Sequence, residues 1–132
     1  MTWKNEKKSK ALLVVFGIYL ALLAWCILFK FALRPEEIPH LRGINLIPYA
    51  ASVVVNGKVQ ISEIIENMLV FLPFGLCISA FYPDSEIQNR ILLASGLSLF
   101  FEVTQYIFAI GASDITDVID NTLGAVIGIL LY

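Results

Sequence analysis

Glu102 stands inside Ile91–Ile110, a run apolar enough to cross a bilayer. A carboxylate at the centre of such a helix costs about 2.5–3.5 kcal/mol on insertion scales, so it survives only where partners or water receive it. Its chemistry is that of a buried acid: an acceptor when charged, a general acid if burial keeps it protonated. Gln105, three residues on, shares its helix face, and Ser95 and Ser98 extend that face. Two further apolar runs open on polar groups. Glu63, Glu66 and Asn67 begin one, and Asp114, Asp117 and Asn121 begin the other. Glu63 and Asn67 share a face at i,i+4, as do Asp117 and Asn121. Gly124 and Gly128 continue the latter stripe as a Gly-x-x-x-Gly pair that permits close helix approach.

The elements that position these groups follow from composition. The chain has 132 residues, 58% hydrophobic and 15% charged, against roughly 25% charged in soluble domains. The sequence therefore predicts an all-α integral membrane protein, a single domain over residues 1–132 built as a bundle of about four transmembrane helices. The first span is Ala11–Phe31, after a start carrying Lys4, Lys7, Lys8 and Lys10. Its apolar core is longer than that of a signal peptide, about 7–15 residues, and it reads as a retained helix with the lysines cytoplasmic. Residues 33–61 form an outer loop whose apolar part, 43–55, is too short to span and reads as re-entrant or interfacial. Asn56-Gly57 is a turn signal within it. The second span is Ser62–Tyr82, with Pro73 and Gly75 mid-span and a kink expected at the proline. Ser85 with Gln88 fits a capping box for the third span, which ends near Gly111. The fourth, Asp114–Tyr132, barely crosses the hydrocarbon.

Four spans put both termini in the cytoplasm. Arg90 then adds to the inner positive charge, and the outer side is acidic. Counting at about 1.5 Å per residue places Glu102, Gln105, Asn67 and Asn121 roughly 8–12 Å below the outer helix ends. That common depth predicts one polar pocket in the outer half, roofed by 43–55, with Arg42 and Asn45 reaching in from the loop. Arg42 supplies the positive charge such a pocket otherwise lacks. Plainer readings stand beside this one. Asp114 suits a helix N-cap, and Asp117, Glu63 and Glu66 suit solvated first-turn acids. Asn67 and Asn121 suit inter-helix hydrogen bonds. Glu102 suits a structural pair with Arg42. The phenylalanines are assigned mostly to lipid, and Val118, Ile119, Ile129 and Leu130 mostly to positions off the Gly124–Gly128 stripe. Cys26 and Cys77 fall in opposite halves of the bilayer, which disfavours a disulfide. The net charge of −2 argues against nucleic acid.

The strings Ile44-Asn45-Leu46-Ile47-Pro48-Tyr49, Glu66-Asn67-Met68-Leu69-Val70-Phe71-Leu72-Pro73-Phe74-Gly75, Phe101-Glu102-Val103-Thr104-Gln105 and Ser113-Asp114-Ile115-Thr116-Asp117-Val118-Ile119-Asp120-Asn121-Thr122-Leu123-Gly124 resemble the VanZ-like family of bacterial membrane proteins. The resemblance covers residues 42–130. It implies conserved counterparts of Asn45, Pro48, Asn67, Pro73, Gly75, Glu102, Gln105, Asp114, Asp117, Asn121 and Gly124, the prolines and glycines among them as packing positions. Many members carry an arginine where this chain has Ala112. The resemblance also implies a bacterial cell-envelope role connected with resistance to teicoplanin-type lipoglycopeptides.

The leading expectation is a non-catalytic envelope protein. Its outward pocket (Arg42, Asn45, Glu66, Asn67, Glu102, Gln105, Asp114, Asp117 and Asn121) would engage a membrane lipid, a lipid-linked wall precursor or a lipoglycopeptide. No cofactor is expected under this reading, and an oligomer is compatible with it. The rival is an enzyme acting on a lipid-linked phosphate, with Glu66, Glu102, Asp114 and Asp117 around a divalent cation and Glu102 as the candidate catalytic acid. A third is a proton-linked transporter component using Glu102.

Overall fold

The computed structural model describes residues 3–29, 34–38, 40, 42–49, 54–55 and 58–132, with the side chains of 3–7, 54–55 and 58–59 outside that description. Four helices form the bundle: α1 (Trp3–Leu28), α2 (Ile61–Phe81), α3 (Ile87–Phe108) and α4 (Ile115–Leu131). Two short strand pairs accompany them. β1 (Arg42–Asn45) pairs in parallel with β4 (Gly111–Asp114), and β2 (Val54–Val55) pairs antiparallel with β3 (Lys58–Val59). The Asn56-Gly57 turn lies outside the described residues. Among the described residues, segments of α1, α2 and α3 are long and apolar enough to cross a membrane. The fourth helix has 17 residues, about 26 Å at 1.5 Å per residue, against a hydrocarbon core of about 30 Å. The fold is the membrane helical bundle the sequence predicts, with three full-length spans and a shorter helix packed among them.

Cross-helix contacts fix the directions. Tyr19 on α1 donates to the Val70 carbonyl of α2, Asn121 on α4 meets Ser98 on α3, and Asn67 on α2 meets Asp117 on α4. Thus α1 and α3 run one way, and α2 and α4 run the other. The closest pairing is α2 with α4. A Cβ built at Gly75 would collide with the Ala125 carbonyl, one at Gly124 with the Met68 carbonyl, and one at Gly128 with the Leu72 carbonyl. Without a hydrophobic force between helices in lipid, such backbone approach is how van der Waals packing is gained. Pro73 sits inside α2, which continues through it. Proline leaves the carbonyl four residues back without its helical donor, and the Tyr19 hydroxyl docks α1 one residue along, at Val70.

The core departs from the lipid-facing assignment of the phenylalanines. Phe71, Phe74 and Phe101 are buried, with Phe71 edge-on to Phe101 at 6.4 Å, and the Phe16 ring lies tilted beside Phe74 at 6.2 Å. Among the described phenylalanines, Phe100 and Phe108 on α3 remain exposed. Aromatic rings fill the irregular space where α1 crosses the proline-containing helix. Ile129 is likewise buried beside Ala125, whereas Leu130 is 71% exposed. The glycines let α4 sink far enough into α2 to carry Ile129 under with them.

At the α2–α3 turn, the expected Ser85 capping box does not form. The helix starts at Ile87 with Glu86 as its N-cap and no side-chain capping bond. Ser85 instead donates to the Tyr82 carbonyl and accepts from Arg90. Arg90 is buried and donates to the Pro83 carbonyl at 2.6 Å, the Ser85 carbonyl at 2.7 Å and the Ser79 hydroxyl at 3.3 Å. Its guanidinium closes the helical hairpin rather than serving as a surface charge. Cys26 and Cys77 are free thiols.

The glycine contacts generate a testable outcome. Gly124→Leu should prevent α4 from docking on α2 and lose folded protein, because bulk there meets backbone. Leu130→Ala, at a lipid-facing position, should fold normally. Detergent-extracted yield and thermal denaturation of the two variants check this, and equal behaviour would count against the interface.

Candidate functional site

The polar residues gather at one end of the bundle, where α1 and α3 finish and α2 and α4 begin. Helix α3 stops with Ala109 in the left-handed region (φ 50°, ψ 43°), and Ile110 donates back to the Gln105 carbonyl at 3.1 Å. The chain then runs extended through β4, three residues short of the helix end expected near Gly111. Extended backbone among membrane helices is tolerated where protein satisfies its polar groups. The parallel partner β1 meets one edge, in the register Arg42↔Gly111 to Asn45↔Asp114. Buried Glu102 meets the chain from α3: its Oε2 accepts from the Asp114 backbone N–H at 2.8 Å. The Ser113 hydroxyl returns to the Glu102 carbonyl at 2.6 Å.

Asp114 is the N-cap of α4 and accepts from Thr116 N–H at 2.9 Å, as its residue type suggests. Asn45 donates to the same carboxylate at 3.2 Å while closing a turn on Ile47. Beyond that turn Tyr49 has φ 54°, unusual for a bulky side chain. Both its ends are tied to α4. The backbone N–H donates to Thr116 Oγ1 at 2.7 Å, and the phenol donates to Asp120 Oδ1 at 2.6 Å. That bond to Asp120, with some desolvation, pushes the Tyr49 pKa up to about 12, so the phenol remains a donor throughout the physiological range. Residues 42–49 thereby lie across the start of α4 as a strap.

Arg42 does not enter the pocket or pair with Glu102. It caps the end of α3, with Nε on the Tyr106 carbonyl at 2.9 Å, Nη2 on the Ile107 carbonyl at 3.0 Å, and its guanidinium over the Tyr106 ring. A helix C-terminus offers unsatisfied carbonyls and partial negative charge, and Arg42 at the first position of β1 is in reach of both. Gln105 lines neither of the two cavities described below; it is buried, with its amide donating to the Ile27 carbonyl at 2.7 Å. Pro48 is exposed in the turn before Tyr49 rather than between helices, a place its fixed φ suits.

The single pocket expected from depth divides into two cavities. One, about 200 Å³, has apolar walls that include Leu99, Val103, Tyr106 and Val118, with Asn45, Glu102 and Asp114 as its polar groups. The other, about 240 Å³, is lined by Glu63, Glu66, Asn67, Asp117 and Asn121, with Cys26 and Ile27 from α1. Asn67 donates to Asp117 at 3.0 Å across this second cavity. Consequently Glu66 and Asp117 line one cavity while Glu102 and Asp114 line the other, and the four carboxylates do not share one centre. Among the described residues, no three histidine, cysteine or acidic groups are placed to hold a metal ion.

Sequence reasoning counted Asp120 only as a charge and passed over Tyr49, Ser113 and Thr116. Asp120 and Thr116 are fully buried. The available signal was the four-residue step from Thr116 to Asp120, which puts both on one face of the helix.

Comparison with known proteins agrees with this architecture. The VanZ/LLP1 family model matches residues 16–132. Protein VanZ of Enterococcus faecium is 38% identical over 120 residues, which cover 89% of this chain and 71% of the relative. The chain belongs to the VanZ/LLP1 family, and the match extends from the 42–130 motifs back into α1. No solved structure matches it.

The Tyr49–Asp120 bond is open to test. Tyr49→Phe removes the phenol and should cost about 1–3 kcal/mol, because it strands a buried acceptor. Adding Asp120→Asn to Tyr49→Phe should cost less than the sum of the two single changes. Thermal denaturation of the wild type, both single variants and the double measures the coupling; strictly additive losses would show that the contact contributes nothing.

Proposed function

We propose that this VanZ-like membrane protein engages an amphiphile at the polar end of its bundle, through the cavity beside Glu102. One observation carries the reading: an apolar-walled recess of about 200 Å³ whose polar groups, Asn45, Glu102 and Asp114, lie together. Leu99, Val103 and Tyr106 are exposed along α3 beside it, so an acyl chain in the bilayer could lie against them while a polar headgroup meets the carboxylates and amide. Acceptors with one amide donor suit hydroxyl, amine and sugar groups. A lipid-linked wall precursor or a lipoglycopeptide has that make-up, and interception of one of them is the role that resistance to teicoplanin-type antibiotics would require. The site acts by binding, with Glu102 both bracing β4 and forming part of the recess.

The same reading places the polar end outside the cell. Lysines 4, 7, 8 and 10 precede the first span and favour a cytoplasmic start. The alternation of helix directions then brings the chain end to the cytoplasm as well. A reporter fused after Tyr132 should be active only if it requires the cytoplasm. Activity of an externally dependent reporter would reverse the orientation and remove the outer-leaflet ligand.

Glu102→Gln tests the site itself. The amide oxygen can still accept from Asp114 N–H, so stability should fall by no more than about 1 kcal/mol. Because Arg42 is satisfied on the α3 carbonyls, adding Arg42→Gln should bring no rescue. Lipoglycopeptide tolerance conferred on a susceptible host should be lost. Full tolerance with well-folded Glu102→Gln protein would sink this function for the recess.

A further inference from the structure

The second cavity calls for a ligand of its own. It lies between α1, α2 and α4, and its polar lining is almost entirely composed of acceptors: the carboxylates of Glu63, Glu66 and Asp117 and the amides of Asn67 and Asn121. The Asn67 N–H group is committed to Asp117. Asn121 is fully buried, and its Nδ2 is committed to Ser98 on α3 at 2.8 Å. Asn121 lines the cavity, and its Oδ1 is left without a hydrogen-bond partner among the described residues. A buried acceptor left without a donor costs about 1–3 kcal/mol, so the site is incomplete as it stands. Glu63 and Glu66 are exposed at the cavity's mouth and open a path to it.

We propose that this cavity binds a primary ammonium group, delivered by an amine-bearing lipid headgroup or a free alkylamine. An ammonium offers three N–H donors and one positive charge. It would satisfy Asn121 Oδ1 at depth while its charge meets the acidic rim. A quaternary ammonium has the charge without the donors and leaves the buried oxygen unsatisfied. A volume of about 240 Å³ accommodates a short aminoalkyl group with water. The site is separate from the recess beside Glu102, and it stands or falls independently of the amphiphile reading.

Cys26 lines the cavity and supplies a reporter. In the purified full chain carrying Cys77→Ala, the rate of Cys26 modification by neutral methyl methanethiosulfonate is followed with ethanolamine or choline added. Ethanolamine at ten times its Kd should slow the reaction roughly tenfold, as occupancy requires, and choline at the same concentration should not. Glu63→Gln with Glu66→Gln, both at exposed positions, should abolish the protection without loss of fold. Thermal denaturation under the same additions gives a second readout that does not depend on thiol reactivity. Nanodiscs of phosphatidylethanolamine compared with phosphatidylcholine distinguish the sources. Protection by the former without added amine supports a lipid headgroup; protection only by soluble ethanolamine supports a free amine. Equal action of choline, undiminished protection in the double variant, an effect of magnesium or calcium with none of ethanolamine, or no effect of any amine on either readout would each overturn the proposal.

Discussion

The bond from Asp114 N–H to the Glu102 carboxylate organises the polar end of this protein. β4 is four residues of extended chain held among helices, and every polar group of its backbone needs a partner there. β1 satisfies one edge and Glu102 supplies an acceptor from α3. Once that stretch is fixed, Asp114 is placed to cap α4, Asn45 is placed to meet Asp114, and the 42–49 strap can reach Thr116 and Asp120. The carboxylate inside an apolar helix is therefore compensated largely by backbone, and the arginine that charge balance suggested is free to cap the helix behind it.

The second constraint is the glycine-lined contact of α2 with α4. By drawing the two backbones together it sets the rotation of α4, and rotation distributes its polar residues in three directions. Asp117 turns toward Asn67 on α2 and the acidic cavity, which Asn121 also lines while bonding Ser98 on α3; Asp114 turns toward β1 and the apolar-walled recess, and Thr116 and Asp120 toward Tyr49. Two recesses arise from one short helix because successive turns point their side chains to different neighbours.

Much of this was legible in the sequence. Hydropathy gave the spans to within a few residues, helical spacing placed Asp117 with Asn121, and the Gly-x-x-x-Gly pair marked a close helix approach. Depth counting brought the right groups to one end of the bundle. It failed to divide them, because depth has no angular component and Asp114 stands just outside the helical period as a cap. The parallel pairing of β1 with β4 was beyond reach for a different reason: paired residues are 69 positions apart, Arg42 with Gly111, and neither strand shows alternation that distinguishes it from a loop. The role of Arg90 was out of reach because a charge count assigns it a side of the membrane and says nothing of the four neutral oxygens that receive it. The phenylalanines misled because composition alone does not say which side of a membrane helix meets protein.

The brevity of α4 bears on how the protein is made. Seventeen residues that bury Thr116, Asp120 and Asn121 form a poor independent membrane insert, since each polar group would meet lipid without its partner. The partners on α2, on α3 and in the strap are all synthesised earlier. The polar groups of α4 meet their partners only when it docks into the groove that the first three helices and the strap form. Translation order and the order of stable packing coincide, and the docking of α4 is the step that completes both recesses.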